Sequence, residues 1–158
     1  MGQQSVARLF SRYAPLVIWL LFISYASSDS FNAGNTSRII GPLVLWLFPN
    51  TSPETLLSLH LIVRKAAHFT EYAILAFLAA RAFRGSPRPA LANRWFLASF
   101  ALVVAYALID EYHQTFVPSR TGSIYDSLID ISGGLVALLL IRRWHTAPRR
   151  SKFDSAIV

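Results

Sequence analysis

One short stretch of the chain sets several ionisable side chains into otherwise apolar sequence. On a helix, Arg64, His68 and Glu71 fall within about 60° of one another, and Lys65 and Tyr72 widen this arc to about 120°. Ionisable groups are costly at membrane depth, so such a face turns toward a protein interior or a water-filled cavity. The pattern predicts either a structural ion pair, Arg64 or Lys65 with Glu71, or a functional site.

Two later segments also place polar side chains at helical spacing. Asp110, His113 and Gln114 share one face at positions i, i+3 and i+4. Asp126 and Asp130 share a face at positions i and i+4. Three helices can therefore present ionisable groups to one another.

Acid–base chemistry is the first use that these residue types allow. His68 can serve as a general base, with Glu71 or Asp110 orienting it or acting as the general acid. The chain has no Cys, and no Ser stands in a nucleophile elbow, so covalent catalysis has little support. Whether a metal or other cofactor is bound stays open, because a His-x-x-Glu spacing alone is a weak metal signature.

Phosphate binding is the second use. Arg64, Lys65 and Arg120 supply the cationic groups, and the planar guanidinium of Arg suits a phosphate especially well. Because carboxylates stand near these cationic groups, such a pocket would not be a purely cationic anion-binding site.

Composition identifies the class of protein that must position these groups. The 158 residues are 54% hydrophobic and 15% charged, with a mean hydropathy of +0.42. A small soluble domain does not bury so much apolar sequence, so the chain is predicted to be a single membrane domain covering residues 1–158.

Hydropathy and turn residues predict an all-α, polytopic helical bundle. Residues 27–38 and 84–94 are expected to be loops, and 117–123 a turn; Ser52 and Pro53 are expected to start a helix that ends near Phe83. Four spans and one short interfacial or re-entrant segment are expected, the spans at 9–26, 53–83, 95–116 and 124–141 and the short segment at 39–48. Gly133 and Gly134 in the last span predict close helix packing.

The first apolar run has a second interpretation. It follows Arg8 and Arg12, and Ser24-Tyr25-Ala26 resembles the small-x-small site of a cleaved signal peptide. We expect a retained first helix. Cleavage after residue 26 would leave the orientation of the downstream spans unchanged.

The distribution of charge predicts the orientation. Eleven of the 15 Lys and Arg residues lie in the N-terminal segment, in the 84–94 loop with Arg81 at its edge, and in the C-terminal tail. By the positive-inside rule both termini, with basic tails at 1–13 and 142–158, are cytoplasmic, in a bacterial inner membrane. The net charge of +7 is therefore a topology signal and does not indicate a nucleic-acid partner.

Counting residues from these basic ends compares depths. Arg64, Asp110 and Asp126 each lie about 24 Å from the cytoplasmic basic residue of their own helix at a rise of 1.5 Å per residue. These matching levels predict one shared polar pocket that opens outward. By the same count, three further groups lie deeper, roughly 15–20 Å from the cytoplasmic edge. They are His68, Glu71 and Asp130.

Four pieces of sequence together resemble the VanZ-like family of small membrane proteins. They are Lys65-x-x-His68-Phe69-x-Glu71-Tyr72, Asp110-Glu111-x-His113-Gln114, the turn Phe116-Val117-Pro118-Ser119-Arg120, and Asp126 followed by Gly133. The resemblance covers roughly residues 60–140, in order. It implies motif positions at Lys65, His68, Glu71, Tyr72, Asp110, Glu111, Gln114, Arg120 and Asp126.

The resemblance also implies an effect on susceptibility to the glycopeptide teicoplanin, but it names no reaction. Two residues depart from the family pattern. Ser119 stands where Gly often precedes the Arg, and Asp130 stands where Asn is common.

The expected function is action on a lipid head group or a lipid-linked cell-envelope precursor. In this interpretation His68, Glu71 and Asp110 are the catalytic candidates, and the binding candidates are Arg64, Lys65, Tyr72, Glu111, His113, Gln114, Arg120, Asp126 and Asp130. The alternatives are a non-catalytic membrane binding protein and a small proton-coupled carrier. With four spans per chain, a carrier would have to be an oligomer.

Overall fold

The computed structural model describes residues 2–28, 41–117 and 123–146, and these residues are almost entirely helical, without a strand in those ranges. The all-α helical bundle is therefore confirmed. Its helices are α1 (Gly2–Ala26), α2 (residues 41–47), α3 (Pro53–Arg84), α4 (Pro89–Asn93), α5 (Trp95–Gln114) and α6 (Ile124–Thr146).

The start of α3 follows the sequence signals. The Ser52 hydroxyl accepts a hydrogen bond from the Thr55 amide at 3.3 Å, and Pro53 fills the first helical position. Glu54 adds a negative charge to the first turn, where the unpaired backbone amides favour it. The helix ends at Gly85, with two arginines in its last turn.

Three helices are long and apolar enough to cross a membrane: Val6–Ala26 of α1, Trp95–Gln114 of α5 and Ile124–His145 of α6. Their large apolar side chains point mostly outward; Ile18, Leu97 and Leu140 are each more than 60% exposed. With 32 residues, α3 extends about 48 Å and is long enough to cross a membrane. It is not among these three helices, and it carries the ionisable residues 64–72 near its middle. The structure therefore supports a membrane helical bundle.

α3 is the central helix, and α6 runs parallel to it. Arg64, three turns into α3, meets Asp126 at the beginning of α6, and Arg84 meets His145 near the ends of the two helices. α3 packs most extensively against α6 and also contacts α1, α4 and α5. The polar stretch therefore lies against the first half of α6.

α1 and α5 run antiparallel to α3. Near the start of α1, the Ser11 carbonyl accepts a hydrogen bond from Arg81, and farther along, Trp19 Nε1 donates to the Glu71 carbonyl at 2.9 Å. At the start of α5, Trp95 stacks under the Arg84 guanidinium. The start of α1, the end of α3, the start of α5 and the end of α6 therefore lie together at one end of the bundle. The predicted topology directs all four toward the cytoplasm, and we call this end of the bundle the basic end.

Small residues bring α6 into direct contact with its neighbours. A Cβ added to Gly133 would lie 2.2 Å from the Phe69 carbonyl oxygen of α3, and one added to Gly134 would lie 2.6 Å from Val103 Cγ1 of α5. The predicted packing role of both glycines is confirmed. The buried face of α3 is also largely small, with Tyr72, Leu75, Ala76, Ala79, Ala80 and Ala82 in its core.

The boundaries differ from the expectations in several places. Residues 2–13 belong to α1, the 84–94 loop contains the short helix α4, and α6 continues to Thr146 instead of ending at 141. The short segment expected at 39–48 is helical over 41–47. Residues 29–38 of the first loop, and 118–122 of the turn with Ser119 and Arg120, lie outside the described residues.

Candidate functional site

Two contacts between ionisable side chains join the middle of α3 to the first two turns of α6. Arg64 Nη2 lies 4.0 Å from Asp126 Oδ2, and His68 Nδ1 lies 3.3 Å from Asp130 Oδ1. Both pairs have the same spacing because the helices are parallel, so a step of four residues on one matches a step of four on the other.

A cavity of about 210 Å³ opens between the two helices at this level. Arg64, Lys65, His68 and Asp126 form its polar wall. Leu61 and Ile129 complete the lining with apolar surface. The cavity therefore offers cations, a carboxylate and an imidazole to one small polar group.

The His68–Asp130 pair lies at the buried side of this cavity. The Asp130 side chain is 1% exposed, whereas that of His68 remains 13% exposed. The Nδ1 atom of His68 is buried against the carboxylate, so the accessible edge of the ring is the one that carries Nε2. A carboxylate at Nδ1 holds an imidazole in one orientation and leaves the other nitrogen for a ligand or a proton.

Asp110 lies in a second polar group, where α5 meets the end of α1. Its Oδ2 atom accepts hydrogen bonds from Ser27 Oγ at 2.8 Å and from Gln114 Nε2 at 2.9 Å. The predicted shared face of Asp110 and Gln114 thus forms a direct contact. His113 is exposed on the same helix and is not part of this group.

Glu111 connects α5 to the beginning of α6. Its carboxylate accepts a hydrogen bond from the Ser123 backbone amide. A negative charge is favourable at a helix N-terminus because the first amides have no partner within the helix. This contact joins the end of α5 to the start of α6, and Asp126 and Asp130 follow in the first two turns of α6.

Tyr72 lies between the two polar groups and is fully buried. Its side chain interacts electrostatically with Asp110, Asp130 and Glu71. His68 likewise interacts with Asp130 and Glu71. The candidate residues thus form two neighbouring polar groups on either side of Tyr72, and the cavity itself is lined by α3 and α6.

The partner of His68 differs from the one favoured by the sequence. Glu71 or Asp110 was expected to orient the imidazole or to act as the general acid; in the structure Asp130 makes the close contact with His68, and Asp110 is bonded to Ser27 and Gln114. Sequence spacing gives the face of each helix but not the rotation of one helix against another, so it does not assign this contact.

Several polar residues of this region were not anticipated. Ser27 was assigned to a loop, and Tyr106 was interpreted as a packing residue, yet its hydroxyl bonds to the Leu20 carbonyl and lies 2.5 Å from Ser24 Oγ. Ser127 is completely buried. Its position three residues before Asp130 was the one available signal, since i and i+3 share a helix face.

The described residues contain no group of three or more His, Asp or Glu side chains arranged to hold a metal ion. The described part of the site places the His68 imidazole beside two cationic side chains, Arg64 and Lys65. Arg120, which the family resemblance adds to this site, lies outside the described residues.

Comparisons with known proteins give a family match that spans most of the chain. The model of a family described as VanZ/LLP1 matches residues 10–145, which includes every candidate site residue. No curated protein and no solved structure matches the chain.

Proposed function

This chain belongs to the VanZ/LLP1 family, and from this we propose that its α3–α6 site acts on the polar head group of a membrane lipid or a lipid-linked cell-envelope precursor. The family match and the membrane-type helices support a VanZ-like membrane protein. Beyond this class of protein, we propose the kind of ligand that the site binds and the role that each site residue has in binding or catalysis. Altered susceptibility of the host cell to glycopeptides such as teicoplanin is the proposed cellular consequence.

The His68–Asp130 contact carries this proposal. The Nδ1 atom of His68 lies 3.3 Å from a buried carboxylate oxygen, a close contact without hydrogen-bond geometry, at the edge of the cavity. His68 then serves as the general base that removes a proton from a hydroxyl group or water next to the bound head group. Asp130 positions His68, and Glu71 and Asp110 supply the surrounding charge.

Phosphate recognition is assigned to Arg64 and Lys65. The Arg64–Asp126 contact is long, at 4.0 Å, and both side chains are partly exposed, so it holds the guanidinium loosely. A bound phosphate would form shorter, charge-assisted hydrogen bonds with the same group. Lys65 is exposed at the cavity wall, and the resemblance places Arg120 with them.

Native mass spectrometry in mild detergent tests the ligand class. We expect a lipid or precursor to remain bound to the wild-type protein and to be lost from the His68→Ala/Glu71→Ala variant. His60→Ala removes an imidazole from the same helix two turns away, outside the cavity lining, and should keep the ligand. Ligand-free spectra of all three proteins would contradict the proposal, and a metal lost in the variant would favour metal-assisted chemistry.

A proton-coupled carrier is the second candidate, and one observation favours it. Tyr72 Oη, His68 Nδ1 and both carboxylate oxygens of Asp130 are buried without a hydrogen-bond partner in the described part of the chain. Buried, unsatisfied polar atoms at membrane depth are expensive and are typical of proton paths. In this case vesicles containing the protein would show pH-dependent flux, and an oligomer would form the path.

We also propose four spans, a retained first helix and cytoplasmic termini. α1 buries Leu16 and Ile23 in the core and its Trp19 and Ser24 bond to α3 and α5, which supports retention. The length of α3 supports a fourth span, with its polar face turned to α6.

Cysteine labelling tests the topology directly, because the chain has no native Cys. Asn50 and Asn93 are both exposed and lie at opposite ends of α3. A membrane-impermeant maleimide should label Asn50→Cys in intact spheroplasts and Asn93→Cys only after permeabilisation. The reverse pattern would contradict the proposed orientation, and labelling of both in intact spheroplasts would contradict a spanning α3.

A further inference from the structure

A second, larger groove lies between α3 and α6 at the basic end, far from the proposed catalytic cavity. Its volume is about 590 Å³, within the roughly 300–1,000 Å³ of small-molecule sites. Phe77, Ala80, Leu140, Ile141 and Trp144 give it an almost entirely apolar wall. A groove of this composition fits a hydrocarbon chain.

The mouth of this groove is cationic. Arg81, Arg84 and His145 complete its lining. No acidic residue stands in the last two turns of α3 or of α6 as the structure describes them. The groove thus presents positive charge at one end and apolar surface along the rest, the pattern of an anionic amphiphile.

Neighbouring side chains hold these arginines in place. The Arg84 guanidinium lies 5.3 Å from the centre of the Trp95 ring and hydrogen-bonds to the His145 ring. Arg81 donates to the Ser11 carbonyl of α1 at 3.4 Å. An arginine held by a ring and a carbonyl keeps further N–H donors for an anion and loses less conformational freedom on binding.

We propose that this groove binds one anionic phospholipid, with an acyl chain against Leu140 and Phe77 and its phosphodiester at Arg81 and Arg84. Basic pockets between membrane helices on the cytoplasmic side commonly bind anionic lipid head groups. The bound lipid would neutralise charge where α1, α3 and α6 meet and would join α3 to α6 at the end opposite the His68–Asp130 contact. This site is independent of the ligand proposed for the catalytic cavity.

Lipid titration followed by native mass spectrometry tests this site. Phosphatidylglycerol should bind to the delipidated wild-type protein at least about tenfold more tightly than zwitterionic phosphatidylcholine. Arg81→Gln/Arg84→Gln should remove this preference. The control Arg88→Gln/Arg94→Gln removes the same charge from the basic end, but neither residue lines the groove, and it should retain tight binding. Equal loss in both variants, or no preference in the wild type, would overturn the proposal.

A separate substitution tests the apolar half of the groove. Leu140 is 62% exposed, so Leu140→Trp can fill the groove without disturbing the core. We expect this variant to lose phosphatidylglycerol binding at least about tenfold with unchanged thermal stability. Unchanged binding would show that head-group charge alone holds the lipid and would contradict a groove site. The Leu140 result remains decisive if the double arginine variant fails to fold.

Discussion

Replacing Gly133 with alanine should destabilise the bundle strongly, because the added methyl group enters the contact between α3 and α6. The new Cβ would lie 2.2 Å from the Phe69 carbonyl oxygen and 2.9 Å from the carbonyl carbon. These are backbone atoms, so no side-chain rotation relieves the clash and α3 must move away from α6. Overpacking of this kind costs roughly 1–3 kcal/mol, which SDS titration of the detergent-solubilised protein would measure as a lower free energy of unfolding.

Gly41→Ala is the matched control for this prediction. A Cβ at Gly41 meets no atom within 4 Å, so the same chemical change should leave stability unchanged or raise it slightly through helix propensity. A Gly133→Ala variant as stable as the control would show that α3 and α6 are not in backbone contact. Since Phe69 follows His68 and Gly133 lies one turn after Asp130, the substitution should also lengthen the His68–Asp130 contact.

The helices were predictable because their boundary signals are local. Ser52, Pro53 and Gly85 act on the backbone within a few residues, and the apolar runs of α5 and α6 are long enough to indicate a membrane span without tertiary information. The short helix α4 was missed because Pro87, Pro89 and the surrounding basic residues are typical of a loop. Pro89 instead occupies the first turn of that helix, where proline is tolerated.

The levels of the site residues were also predictable from the sequence. Counting helical rise from the basic end placed Arg64 and Asp126 at one depth, and the structure brings them together. Rotation about each helix axis was not predictable from such counts. It depends on the glycine contacts of α6, which turn Asp130 toward His68, and on Ser27, which draws Asp110 toward α1.

Replacing Asp130 with asparagine, the residue that is common at this position in the family, should lower activity while largely preserving stability. Asn has nearly the same shape as Asp, but it lacks the negative charge that holds the imidazole of His68 at 3.3 Å. If His68 is the general base, its loss of orientation should lower activity toward the bound ligand by roughly 10²-fold or more. Stability should change by less than about 1 kcal/mol, because the substitution removes the buried charge itself and Asn keeps a side-chain oxygen that can accept a hydrogen bond from the imidazole.

A structural ion pair would give the opposite result. Breaking a buried pair by removing one partner costs roughly 3–5 kcal/mol, so a large loss of stability in Asp130→Asn would contradict a functional role. A double-mutant cycle that combines Asp130→Asn with His68→Gln separates the two cases. If the pair is purely structural, the coupling between His68 and Asp130 appears in the free energy of unfolding and not in activity. Glu54→Gln removes an exposed carboxylate from the far end of α3; it should leave activity unchanged and lower stability only slightly, through the lost charge at the first turn. Function lost without stability would therefore make Asp130, a residue at which this chain departs from its family, the positioning residue of the site.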